Sequence, residues 1–268
     1  MFQASSFKLQ KIMQFAYLSS TVSIKTVSEN NKNGVFEVEG LFAGYGLTIG
    51  NAIRRALLSS LPGAAVTEFK IKNAPHEFSS LPGIAEDVVE LVLNMKKLRF
   101  RIHTDEPQVV TLKVKGEKVV TAADIALNSQ VEVVNGDEVI ATLTSKDAEL
   151  DVELKIEKGL GYSPVESRKE GKLAVGTIAV DALFTPVVKV NTKVEDMRVG
   201  ERTDYNRLIL EIETDGTLSP SSALHKAANI LKDHFDKVSS IAVVGESGSP
   251  KTGVTVEEPK KRGRPKKE

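Results

Sequence analysis

The chain contains no cysteine. That excludes disulfides, thiolate metal sites and cysteine nucleophiles together, and it suits a reducing compartment. No apolar run approaches the length of a membrane span. The opening residues, M-F-Q-A-S-S-F-K-L-Q-K-I-M-Q-F, lack the continuous apolar segment of a signal peptide. Net charge is missing as well, since 36 basic residues balance 36 acidic ones. The balance conceals an asymmetry. Residues 257–268 hold six Lys/Arg and three Glu, which leaves 30 basic and 33 acidic residues elsewhere. A polyanion partner is therefore expected at the tail rather than the body.

What is present is a chain of 268 residues, 41% hydrophobic and 27% charged. That is enough for one large globular domain or two ordinary ones. Phe36 to Phe42 alternates apolar and polar residues as a half-buried strand does. A glycine-containing turn follows, and Thr48 is the predicted cap of a helix with an apolar face at Ile53, Ala56, Leu57 and Leu61. Pro62-Gly63 is expected to stop it. Ile84, Val88, Leu91, Val92 and Met95 form a second helical stripe, acidic at its start and basic at its end, which complements the helix dipole. From about Leu98 to Ile156 the pattern is β, and strands resume to about Ile212. Ser219-Pro220 opens a last helix with Ser as cap and Pro in the first turn. Its stripe is Leu224, Ala227, Ala228, Leu231, Phe235 and Val238. The small alanines permit close approach of another helix. With no regular βαβ alternation, the fold class is α+β.

The catalytic chemistries fail one by one. Gly44, Gly46 and Gly50 are spaced G-x-G-x-x-x-G, one residue too long for a dinucleotide fingerprint, and no Lys-Ser/Thr follows for a P-loop. A strand-to-helix turn with positive φ accounts for the glycines instead. His76, His103, His225 and His234 show no metal-ligand spacing. Asp196 and Asp204 flank Arg198 and Arg202 in a polar stretch, with no aspartate cluster for two metal ions. No catalytic residue, metal or cofactor is expected.

Two features point to binding. Arg54 and Arg55 interrupt an otherwise apolar helix, with Leu58 one turn on along the same side. They form either a solvated helix back or a protein–protein hot spot. In the tail, K-K-R-G-R-P-K-K contains Arg262, Gly263, Arg264 and Pro265. An Arg-Gly-Arg core is narrow enough to lie in an A·T-rich minor groove, as an AT-hook does; the alternative is a basic tail without sequence preference.

G-Y-G-L-T-I-G-N-A-I-R-R-A-L-L-S-S-L-P-G-A-A-V-T and H-E-F-S-S-L-P-G-I-A-E-D-V-V-E-L-V-L-N-M-K-K-L resemble the family of bacterial RNA polymerase alpha subunits. V-T-A-A-D-I, G-L-G-Y and R-T-D-Y-N-R-L-I-L-E-I-E-T-D-G-T continue the resemblance in order, to about Val238. It implies a dimerisation module from both chain ends, 1–62 and 184–240. A second α+β module, 63–183, is inserted between them, and 241–268 is a flexible basic tail. It implies a homodimeric scaffold, without a catalytic site of its own, that assembles the polymerase beta and beta-prime subunits in the bacterial cytoplasm, at the nucleoid. It carries large-subunit contact onto Asn51, Arg54, Arg55 and Leu58, and also onto Lys96 and Arg202-Thr203-Asp204. The dimer interface falls on Ile53, Leu57, Leu224, Ala227, Ala228, Leu231 and Phe235. Leu47 stands where the family has histidine. The family's C-terminal DNA-binding domain is expected to be absent, with the basic tail partly in its place.

Overall fold

The computed structural model describes residues 21–168 and 176–241. In chain order they begin with strands β1 (Ser23–Glu29) and β2 (Asn33–Leu41), helix α1 (Tyr45–Ser59), strand β3 (Pro62–Ile71) and helix α2 (Val88–Lys96). A run of strands follows: β4 (Phe100–Ile102), β5 (Gln108–Lys115), β6 (Lys118–Thr121), β7 (Ile125–Ala126), β8 (Val131–Val133), β9 (Val139–Leu143), β10 (Glu149–Leu160) and β11 (Tyr162–Ser163). The described residues close with β12 (Thr177–Ala179), β13 (Ala182–Leu183), β14 (Val187–Val199), β15 (Arg202–Thr214) and α3 (Pro220–Ser239). The α+β class expected from the pattern is the class observed.

Two sheets carry two cores. The first is antiparallel, in the order β1-β2-β15-β14, and it joins the early chain to the late chain by pairing Phe36 with Leu210. Its inner face, with α1 and α3 laid on it, buries Phe36, Leu57, Leu208, Leu210, Ala223 and Ala227 among others. The second sheet runs β7-β5-β10-β3-β4-β8, with β12 also on β3. The alternation of Leu150, Val152, Leu154 and Ile156 sends those four inward, where they meet α2 through Leu91 and Met95 in a core reaching from Val66 to Val180. Each fully buried leucine of this kind contributes about 2 kcal/mol by leaving water.

Local chemistry sets the helix ends. Ser219 accepts a hydrogen bond from the Ser222 backbone N–H, with Pro220 in the first turn, as the sequence predicts. Asp87 caps α2 by accepting from Glu90 N–H at 2.7 Å. The α2 stripe is shorter than its pattern: Ile84 lies before the helix in an isolated bridge to Leu143. Pro62 and Gly63 do more than stop α1, since they are the first two residues of β3. Strand β1 escapes the alternation signal because all its residues are exposed at the sheet edge.

Candidate interaction surface

Helix α1 begins at Tyr45, three residues before the predicted Thr48 cap. Gly44 precedes it with φ of 84°, the left-handed turn that only glycine adopts without strain. The cap comes from the far end of the chain. Asn206 of β15 is buried, and its side-chain oxygen accepts from Gly44 N–H at 2.8 Å and Gly46 N–H at 3.4 Å. Its amide donates to Asp196 at 3.0 Å. Gly44 and Gly46 N–H, two of the backbone donors that an anion would use, are therefore engaged by protein. The other two glycines face the sheet inside the helix. A Cβ on Gly46 would come within 2.8 Å of Val194, and one on Gly50 within 2.9 Å of Leu208. So the glycines serve a turn and a close helix–sheet approach.

Asn206 was missed in the sequence although a signal exists. It occupies the inward row of β15 with Leu208, Leu210 and Ile212, where alternation demands an apolar residue. A polar side chain on that row must find a buried partner.

With α1 fixed from below, its outer face is set. Asn51, Arg54 and Arg55 are exposed, and among the described residues neither arginine meets a carboxylate. Leu58 is half-buried against the first core, and its carbonyl accepts from the Thr185 hydroxyl at 3.4 Å. Arg202 and Asp204 form a bidentate pair at 3.0 and 2.6 Å, which lowers the Asp204 carboxyl from its ordinary pKa. The Arg202 guanidinium lies 4.9 Å over the Phe42 ring, and Phe42 meets Tyr205 edge-on at 5.9 Å. The structure thus brings Arg202-Thr203-Asp204 to the N-terminal end of α1. Arg54 and Arg55 lie about 15 Å along the helix from Tyr45, at 1.5 Å per residue. Lys96 ends α2 in the second core's unit, near enough to Asp181 to help lower its pKa, behind the Val165 N–H and the Tyr162 hydroxyl.

The seven dimer candidates separate by burial. Ile53, Leu57 and Ala227 are buried inside the protomer, where they join α1 and α3 to the sheet. Leu224 and Leu231 are half-buried against the same core. Ala228 and Phe235 are exposed, and so is Val238 at 69%. The tail motif at Arg262, Gly263, Arg264 and Pro265 lies outside the described residues. Among the described residues, no helix is long and apolar enough to cross a membrane, and no three His, Asp or Glu side chains are grouped to hold a metal ion.

Comparison with known proteins gives the surface its context. Residues 69–185 match the family described as the RNA polymerase Rpb3/RpoA insert domain. The chain is 48% identical over 215 residues to the DNA-directed RNA polymerase subunit alpha of Symbiobacterium thermophilum, covering 80% of this chain and 68% of that protein. It is 47% identical over 212 residues to the subunit of the same name from Carboxydothermus hydrogenoformans, covering 79% and 67%. With that of Alkaliphilus oremlandii it shares 46% over 215 residues, covering 80% and 68%.

Proposed function

The chain belongs to the family of bacterial RNA polymerase alpha subunits, and from that premise we propose which of its surfaces do the family's work. It is a non-catalytic subunit, a scaffold on which the transcription enzyme is assembled. Two copies pair as a homodimer, and each copy presents a surface to one large subunit, beta or beta-prime. The work is done in the bacterial cytoplasm, at the nucleoid. Segments 1–62 and 184–240 make the dimerisation module, and 63–183 is the insert.

The observation that carries the large-subunit assignment is the outer face of α1. Two exposed arginines, without acidic partners among the described residues, stand beside half-buried Leu58, on a helix held at its start by Asn206. Arginines next to an apolar contact, on a helix whose position is fixed, are the composition of a binding hot spot. Arg55→Ala should leave the dimer folded and weaken capture of the beta subunit by about tenfold or more, the effect of losing one hot-spot arginine. A titrated pull-down with purified beta measures it, and unchanged capture counts against the assignment. Dimerisation is assigned to the exposed residues of α3, led by Ala228 and Phe235, with Leu224 and Leu231 behind them.

The R-G-R-P motif supports a second contact, between the tail and A·T-rich minor grooves. Tethering raises the local concentration of such a weak contact near DNA already held by the enzyme. In gel shifts, the tail peptide should prefer A·T-rich over G·C-rich duplexes, and an Arg262→Ala, Arg264→Ala double variant should lose that preference. Equal binding to both duplexes reduces the motif to a polyelectrolyte.

A further inference from the structure

The block R-T-D-Y-N-R-L-I-L-E-I-E-T-D-G-T ends in Asp215, Gly216 and Thr217, which have no part in the assignments above. These three residues leave β15 and lead to Ser219, the cap of α3. Gly216 makes the turn with φ of 94°, in the left-handed region. One oxygen of the Asp215 carboxylate closes the turn, accepting from the Thr217 N–H at 2.9 Å and from the Thr217 hydroxyl at 2.6 Å. The turn belongs to the first sheet's unit.

The second sheet's unit grips this turn at all three residues. Arg99 Nε lies 3.6 Å from the other oxygen of Asp215, a side chain only 9% exposed. Gly216 packs on Val134, so closely that a Cβ there would come within 3.2 Å of that side chain. Arg101 donates from both Nε and Nη2 to the Thr217 carbonyl, at 3.1 and 2.9 Å. Among the described residues, no other side-chain hydrogen bond or ion pair joins the two units. The gripping side chains are themselves placed. Arg99 Nη1 donates to the Lys96 and Leu98 carbonyls at the end of α2, at 3.0 and 3.1 Å, and Arg101 Nη1 donates to Glu132 at 3.2 Å. A guanidinium presents its donors in a fixed plane, so it can hold a carbonyl and a carboxylate at once; an ammonium has no such geometry.

The seam around the grip is not filled. A cavity of about 310 Å³ is lined by Arg101 and Thr217, and also by Pro62, Gly63 and Pro186, where the chain crosses from one unit to the other. The two cores share no strand and stay separate on either side of the seam. A polar, partly hollow seam buries little apolar surface, and units joined that way move relative to each other unless something specific holds them. The polar grip on the turn is what is available to do so.

We infer that Arg99, Val134 and Arg101 form a clamp on the Asp215–Thr217 turn that sets the angle between the two units. Released, the second unit swings about the chain crossings at 61–63 and 184–187. Because Ser219 follows Thr217 by two residues, the clamp ties the orientation of the second unit to the start of α3.

The test reads the angle as a distance in the full chain. With no native cysteine, Asp137→Cys in the second unit and Glu213→Cys in the first, both exposed, take spin labels at those positions alone. Labelled chains are mixed with excess unlabelled chains, and the label-to-label distance is measured by double electron–electron resonance. The background with an intact clamp should give one narrow distribution. Adding Arg99→Ala and Arg101→Ala should shift or broaden it by more than about 2 Å, the scale of a domain rearrangement. Arg101→Lys keeps the charge and loses the two-donor hold on Thr217, so it should broaden the distribution less. Glu132→Gln leaves both bonds to Thr217 in place and should leave the distribution narrow. Circular dichroism checks that each variant is folded, and Arg101→Lys decides alone if the double variant is not. A broad distribution with the clamp intact overturns the inference, as does one that stays narrow when the clamp is removed. Equal broadening in Glu132→Gln also overturns it, since surface charge rather than the grip on the turn would then set the angle.

Discussion

Gly63→Ala is expected to lower the melting temperature by about 10 °C, from a destabilisation of roughly 3 kcal/mol. The cause is a collision with backbone. A Cβ on Gly63 would lie 1.8 Å from the carbonyl oxygen of Phe184. Gly63 sits opposite Gly159 in the β3–β10 ladder, and the returning chain at Phe184 lies over that pair. This bed brings the chain back to the first sheet, which β14 enters at Val187. Gly159→Ala meets a different obstacle, the Phe184 ring at 2.7 Å. A side chain can be trimmed, so adding Phe184→Leu should recover part of the loss from Gly159→Ala. No side-chain change should rescue Gly63→Ala, because the obstacle is main chain. Thermal melts of these three variants, and of Gly63→Ala with Phe184→Leu, measure this, and a Gly63→Ala melt within about 2 °C of wild type would refute the close approach.

That glycine pair illustrates what the sequence did and did not disclose. L-P-G at 61–63 reads correctly as the end of a helix. It carries no mark of a strand beginning at Pro62, or of a second chain segment 121 residues later resting on Gly63. Local signals were legible wherever the cause was local. Ser219-Pro220 announces α3, and alternation from Leu150 to Ile156 announces a strand with one buried face. Causes that act across the fold were not legible. The cap of α1 is supplied by Asn206, 162 residues from Gly44. A search for caps near the helix therefore settles on Thr48, whose hydroxyl instead donates back to the Gly44 carbonyl. The pairing of the early strands with the late ones came from family resemblance, since periodicity assigns strands but not their neighbours.

The candidate site shows the same division. Arg54, Arg55 and Leu58 could be singled out because arginines in an apolar helix are conspicuous. Tyr162 could not, because a lone tyrosine in a glycine-containing loop has no period to violate. Its pairing with Leu183 becomes visible only in the fold. A helical stripe, conversely, reports that a face is covered without saying by what. That ambiguity placed Leu57 and Phe235 together in one expected dimer interface, although the first is wholly buried in its own protomer and the second is 65% exposed.

The two residues should therefore respond differently. Leu57 has no exposed surface and lies with Leu208 and Leu210 under α1. Leu57→Ala should remove about 3 kcal/mol from the protomer, combining lost burial with the cavity left behind. Denaturant midpoints should fall with the slope unchanged, since the surface exposed on unfolding is nearly the same. At 25 °C, where the fold persists, sedimentation should still find a dimer. Phe235→Ala removes a ring that touches little of its own chain, so the protomer's fold should persist while the monomer–dimer equilibrium shifts toward monomer by roughly tenfold or more. Melting of this variant should become strongly concentration-dependent, because dimerisation stabilises only the folded state by mass action. Loss of the dimer in Leu57→Ala with protomer stability intact would return Leu57 to the interface and place the partner helix over α1 rather than along the exposed half of α3.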